Sequence, residues 1–423
     1  MITLSWGLHP WNLSWIFPLG MRIIFSVAFV FFIAQIYVHR IPTNNFQIGG
    51  WIKNLLFLLC AFLVVELVIT LYNNPSAEGL FWFVRFSIKY IYLILLILFL
   101  NEESTAISFD IYSNIAVGLV LLSSITLFCI YVGLLNIDSA YCDVSQGGVE
   151  TKRWMPLTVS GFDGFATALP KYLPSLYRMQ SFSYEPGGFA LAVLPALYWF
   201  VYVRKYFIRA AVIMFGIIAS WSLGALLAIV GGLIFAFWNR AVARSSLVVL
   251  AFGLAIYVVS HAVIIKVATQ DKVAIQDILA GDRRESGKAR IEEIKQISNF
   301  LRANPNGLGI HNKSAVETYS VGYFQVFQEV GILGGLLYLS IICVLGGLAI
   351  RAVLGKCISQ SRAQSTMGVA LGVSVLTSLF FGLQRERPDT GYWEMWIYAS
   401  FVVWYLSNGK EEQQTFFQKT LPK

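Results

Sequence analysis

The chain is poor in charge. Only 13% of its 423 residues are Asp, Glu, Lys or Arg, about half the ~25% usual in a soluble domain. A soluble enzyme and a disordered chain both need a hydrated surface, so both are excluded. Cysteine is also sparse, with five in all. Cys60, Cys129 and Cys343 lie inside apolar runs, Cys142 stands alone in a long polar stretch, and Cys357 sits in a short basic one. No stretch holds a pair, so no disulfide is expected and a knotted secreted domain is excluded. Met1 to Trp15 holds no Lys or Arg, so the charged start of a cleavable leader is not expected.

Several kinds of chemistry lack their sequence signs. No D-x-D or E-x-D pair occurs, and no G-x-x-x-x-G-K-[ST] loop for a nucleotide. His9, His39, His261 and His311 are scattered without metal-ligand spacing. A G-x-S-x-G elbow is missing too. No metal, nucleotide, other cofactor or covalent serine is expected.

What is abundant is apolar. Hydrophobic residues make up 57% and aromatics 15%, and mean hydropathy is +0.67. Such a chain reads as an all-α polytopic membrane protein, since only helices and closed barrels satisfy their backbone in lipid. The net charge of +8 comes mostly from residues between the apolar runs. It signals membrane orientation and anion binding, not nucleic acid.

A span needs about 20 apolar residues. By that rule about eleven helices (10–12) are expected, at 16–38, 48–72, 79–100, 110–137, 187–203, 206–220, 223–238, 245–268, 323–350, 363–383 and 390–407. The halves of 206–238 meet at Ala219-Ser220-Trp221-Ser222 and read either as a hairpin or as one broken helix. Two long non-apolar loops separate three groups of spans. The organisation is 1–137 membrane, 138–186 loop, 187–268 membrane, 269–322 loop, and 323–423 membrane with a short tail. Basic linkers at Arg204-Lys205, Asn239 to Arg244 and Arg351 to Arg362, with the Lys-containing tail, belong in the cytoplasm. Both long loops and the N-terminus then face the other side. The linker Asn101-Glu102-Glu103 falls on the cytoplasmic side and is acidic, against the rule.

Glu66, Arg85 and Lys89 fall within expected spans. A charge there is costly unless paired or wet. Glu66 and Arg85 lie at similar distances from the Asn74-Pro75 turn, which suggests a structural ion pair; a proton or substrate path is the other reading.

In the second loop, residues 286–301 form an amphipathic pattern, stopped by Asn304-Pro305-Asn306-Gly307. Ile291, Ile294, Ile297 and Leu301 make one stripe and Arg290 projects into it, while Glu292, Lys295, Gln296 and Asn299 lie away. Arg290 either snorkels at a helix start or binds an anion such as pyrophosphate, which suits its planar fork. The first loop ends Arg178-Met179-Gln180-Ser181-Phe182-Ser183-Tyr184-Glu185-Pro186-Gly187-Gly188-Phe189. An acid followed by Pro opens a helix well without any catalytic role.

Four segments carry a resemblance. Arg178 to Phe189 resembles the R…F-x-E-P-x-x-F/A segment of bacterial O-antigen polymerases. Gly287 to Gly309 resembles the (G)R-…-P-x-G-x-G segment shared by O-antigen polymerases and O-antigen ligases; fourteen residues separate Arg290 from Pro305. Ser222-Leu223-Gly224-Ala225 resembles the S-R-G-A helix start of that superfamily, with Leu for Arg. Tyr323 to Gly334 resembles its Y-L-x-x-L-x-E-x-G-x-x-G segment. In ligases a His-Asn pair precedes that last segment; here Ser320 and Val321 stand there, and His311-Asn312 comes earlier.

The resemblance implies a GT-C-like glycosyltransferase of the inner membrane, with both large loops in the periplasm. Its donor would be a glycan on undecaprenyl pyrophosphate and its acceptor a second lipid-linked repeat unit. Arg178 and Arg290 would bind pyrophosphate, Glu185 or His311 would be the catalytic base, and Tyr319 and Tyr323 would orient sugars. Membrane lipid and a chain-length regulator protein are further implied partners. An O-antigen ligase acting on lipid A core and a lipid-linked glycan transporter are the alternatives.

Overall fold

The computed structural model describes residues 50–134, 142–146, 149–153, 162–163, 179, 186–220, 223–239, 242–249, 251, 292, 295–310, 322–355, 362–382 and 392–408. The expected span at 16–38 lies outside them. Among the described residues, five helices are long and apolar enough to cross a membrane: Lys53–Asn73, Ala77–Ile97, Glu102–Cys129, Gly322–Val353 and Ser365–Gly382.

The elements follow the apolar runs closely. Helices α1 (Gly50–Asn73), α2 (Ala77–Phe99) and α3 (Glu102–Tyr131) come first. Next are short strands β1 (Cys142–Gln146), β2 (Val149–Arg153) and β3 (Phe162–Asp163). Helix α4 (Pro186–Tyr198) then runs into a wider π turn, Trp199–Arg204. Helices α5 (Phe207–Ala219), α6 (Leu223–Leu233), α7 (Gly322–Val353), α8 (Arg362–Gly382) and α9 (Tyr392–Asn408) follow. The stretch 206–238 is two short helices with a break after Ala219.

The helical plan holds among the described residues, and one boundary needs correction. The long polar loop adds three short strands. Its strands form an antiparallel sheet in the order β1-β2-β3, with Gln146 opposite Val149 and Cys142 opposite Arg153. The third helix begins at Glu102, eight residues before the expected 110. Asn101 caps it: its Oδ1 accepts from Ser104 N at 2.7 Å, and Ser104 Oγ accepts from Asn101 N at 3.0 Å. Glu102 and Glu103 fill the first turn, where carboxylates meet the positive end of the helix dipole. The acidic linker is a helix start.

The chain folds as two compact units. One takes in residues 108–229 and 244–289, the other 34–107, 230–243 and 290–423. In the second unit the helix contacts close a ring: α1 packs on α2, α2 on α9, α9 on α8, α8 on α7, and α7 on α1. Of the five candidate spans α8 is the most enclosed, with 83% of it buried against 28–39% for the other four. The others turn large apolar side chains outward, such as Phe57, Val64 and Val68 on α1. Bare apolar faces of that extent are stable against lipid and not against water.

Polar groups inside this unit are placed with care. Glu66 is fully buried, and Lys89 is buried with its Nζ 4.4 Å from the centre of the Phe86 ring. The side chain of Arg85 lies outside the described residues, so the expected Glu66–Arg85 pair is not placed. At the far end of α7, Asn239 Nδ2 donates to Val353 O at 2.7 Å, satisfying one of the carbonyls a helix end leaves over.

Candidate functional site

The second unit gathers polar backbone at one end of its ring. The amphipathic segment of the second loop is helical over 295–303. Ile297 is buried, and Glu292, Lys295, Gln296 and Asn299 are exposed, as the periodicity predicts. The helix stops where expected. Asn304 N makes the last bond, to Phe300 O at 2.7 Å, and Gly307 N turns back to Asn304 O at 3.0 Å. Gly307 and Gly309 take positive φ, 76° and 81°, a region most side chains avoid.

The segment then docks on a break in α7. Gly331 has φ 66° and ψ −164° inside an otherwise helical run, a conformation open essentially to glycine alone. The break leaves backbone groups of α7 without helical partners, and the docked segment supplies them. Leu308 N donates to Gln328 O at 3.0 Å, Gly309 N to Glu329 O at 2.9 Å, and Ile332 N to Pro305 O at 2.9 Å. From the other side α1 holds the same segment. Asn73 Nδ2 donates to Gly307 O and Asn74 Nδ2 to Ile310 O, each at 2.9 Å. Ile310 N reaches Thr70 Oγ1 at 3.4 Å. The P-x-G-x-G segment and the E-x-G segment, about twenty residues apart, thus form one backbone network. Glu329 sits on the turn before the break, where its carboxylate accepts from Gln325 Nε2 at 3.3 Å.

A second junction lies in the other unit. Met179, next to Arg178, is fully buried, and its N–H donates to Ala219 O at 2.8 Å. That carbonyl ends α5, three residues before the Ser222-Leu223-Gly224-Ala225 segment. Met179 is thus tied to the end of α5. Helix α4 opens at Pro186, the position that tolerates the missing N–H. Phe189 is fully buried, so the aromatic of that motif is a core residue.

The same unit holds a polar cluster that sequence reasoning passed over. Asp110 of α3 accepts from Trp199 Nε1 at 2.8 Å and from Arg204 Nε at 2.7 Å, and a second Arg204 bond closes the fork. An α-helix would turn residues five apart well away from one another. The wider π turn over Trp199–Arg204 brings both to one carboxylate. Arg209 donates to Asn114 Oδ1 beside it. No sequence motif announces this; the only hint is an acid at the edge of an apolar run.

Of the sequence-predicted site residues, Arg178, Glu185, Arg290, His311 and Tyr319 lie outside the described residues. Tyr323 is described and is 6% exposed. Its hydroxyl donates to Leu379 O at 2.9 Å, and its ring lies 6.1 Å from that of Tyr338. Here it fastens α7 to α8. Among the described residues no three His, Cys, Asp or Glu side chains gather as a metal site would require.

No family model, curated protein or solved structure matches this chain.

Proposed function

We propose that this chain polymerises lipid-linked glycan repeat units, as an O-antigen polymerase of the inner membrane with about eleven spans, a GT-C-like plan and both large loops in the periplasm. One observation carries the reading. Two of the four segments that resemble the superfamily's motifs, P-x-G-x-G and E-x-G, meet through Leu308, Gly309 and Ile332. Segments that serve one site are expected to be brought together by the fold. Chance matches have no such requirement.

The chemistry is displacement at an anomeric carbon. The acceptor hydroxyl oxygen forms the new bond to that carbon as the bond to the donor's phosphate oxygen breaks. The lipid pyrophosphate leaves with the electron pair, and the hydroxyl proton passes to a base. Arg178 and Arg290 would neutralise the leaving charge with preorganised donors. Glu185 is the first candidate for the base and His311 the second. Tyr319 would orient the sugar; Tyr323 has its hydroxyl on Leu379 and would act through α7. The donor and acceptor are undecaprenyl-pyrophosphate glycans, and a chain-length regulator is a further partner of this reading.

The departure at Ser320 and Val321 favours polymerase over ligase. Serine cannot take a proton near neutral pH as an imidazole does. The glycan profile of a deletion strain tests the choice. Core lipopolysaccharide carrying a single repeat is expected, because a separate ligase still works. Naked core with accumulated lipid-linked polymer would identify a ligase instead.

A further inference from the structure

The docked segment does more than cover a break. Each backbone group it engages on α7 has a second partner available. If Gly331 adopted helical angles, Ile332 N would bond Gln328 O and Leu333 N would bond Glu329 O, the ordinary i to i−4 pattern. With the segment docked, Gln328 O and Glu329 O accept from Leu308 and Gly309, and Ile332 N turns to Pro305 O. The two sets exchange nearly one for one, so α7 alone does not decide between them. The balance is set from outside α7. Asn73 and Asn74, on and just past the end of α1, contribute the side-chain amides that hold Gly307 O and Ile310 O. Asn74 is itself oriented, since its Oδ1 accepts from Ser76 Oγ at 2.8 Å. The outcome fixes where the loop helix 295–303 stands, because only Asn304 separates that helix from Pro305.

We propose that residues 304–310 are a clasp that sets the position of the loop helix against α1 and α7, and that Asn73 and Asn74 are positioning residues for glycan transfer. The second half rests on the polymerase reading, in which Arg290 at the start of this loop segment binds the donor pyrophosphate. Asn73 and Asn74 touch no substrate in this account. They act through the clasp on the place where Arg290 is held.

The test uses full-length protein in nanodiscs, with the native cysteines replaced and spin labels at residues 72 and 296. Both positions are exposed, one on α1 and one on the loop helix. Asn73→Ala with Asn74→Ala removes the amides, and Asn73→Asp with Asn74→Asp keeps their shape without the donors. A narrow 72–296 distance distribution is expected in the parent and a broadened one in both variants. Turnover of lipid-linked repeat should fall about tenfold or more, with KM within about twofold, as expected when two part-buried hydrogen bonds that order a reacting group are lost. Unchanged distance distributions in both variants would overturn the clasp. Broadened distributions with full turnover would overturn the positioning role. A parent protein without any turnover would count against the polymerase reading, while the distance measurement still decides the clasp.

Discussion

Gly307 and Gly331 stand backbone against backbone. A methyl group built on Gly331 would fall 2.7 Å from Gly307 N and closer still to Pro305 O, and one built on Gly307 would meet the Gly331 and Glu329 backbone. Both also need positive φ. This contact joins the second loop to the broken span, and neither residue has room for a side chain.

Gly331→Ala should therefore be costly. Strain at such a conformation is about 1–3 kcal/mol, before any clash. Thermal unfolding in detergent should show a clear drop for Gly331→Ala. Gly347→Ala on the same helix is the control: beyond its chain neighbours and the adjacent backbone of its own helix, no heavy atom lies within 4 Å of its added methyl, so it should be neutral or slightly stabilising. Equal behaviour of the two variants would refute the tight contact.

The Asp110 cluster predicts that Arg204 is not replaceable by Lys. A lysine cannot reproduce the two-pronged contact. The pair is partly exposed, with side-chain exposure of 44% and 27%, so the loss should be modest, about 0.5–1 kcal/mol. Trp199→Phe removes the second donor to Asp110 and also shrinks a fully buried ring, so it should cost more, about 2 kcal/mol. If Arg204→Lys with Trp199→Phe unfolds at the parent temperature, the π turn is not held by Asp110.

How much of this was legible beforehand depended on the kind of signal. Apolar length is a strong one, and it located α1, α2, α7 and α8 within a few residues of their ends. It failed at the start of α3 because Asn101, Glu102 and Glu103 look like a loop in hydropathy, although Asn101 caps a helix. Turn residues gave the stop at Asn304-Pro305, but not the docking of that segment on Gly331. A docking partner depends on tertiary contact, and a glycine in an apolar run reads only as a weak helix former. Asp110 and Arg204 are 94 positions apart and follow no periodicity, so their pairing had no local sign. The β1-β2 hairpin was hidden in a stretch whose polarity marked it only as loop.

Sidedness is open to direct labelling. Single cysteines at residues 288 and 296 should react with an impermeant thiol reagent in intact spheroplasts, and one at Lys423 should not. Reaction at 288 only after the membrane is broken would overturn the periplasmic placement of the loop and the function with it.

The pyrophosphate role of Arg290 and Arg178 predicts loss of polymer without loss of fold. Arg290→Ala and Arg178→Ala should insert and unfold like the parent yet make little product. Arg290→Lys should be impaired as well, because one ammonium cannot grip two phosphate oxygens in the plane of a guanidinium. Normal polymer from Arg290→Ala would remove the mechanism.

The central claim is catalysis by this chain alone, and the most direct measurement is a reconstitution. Purified protein in nanodiscs is given a radiolabelled undecaprenyl-pyrophosphate repeat unit, with no nucleotide, no added metal and no second protein. A ladder of products growing by whole repeats, with undecaprenyl pyrophosphate released in step, is the predicted result. The labelled repeat returned unchanged from a folded preparation, or moved across the bilayer without lengthening, would contradict it.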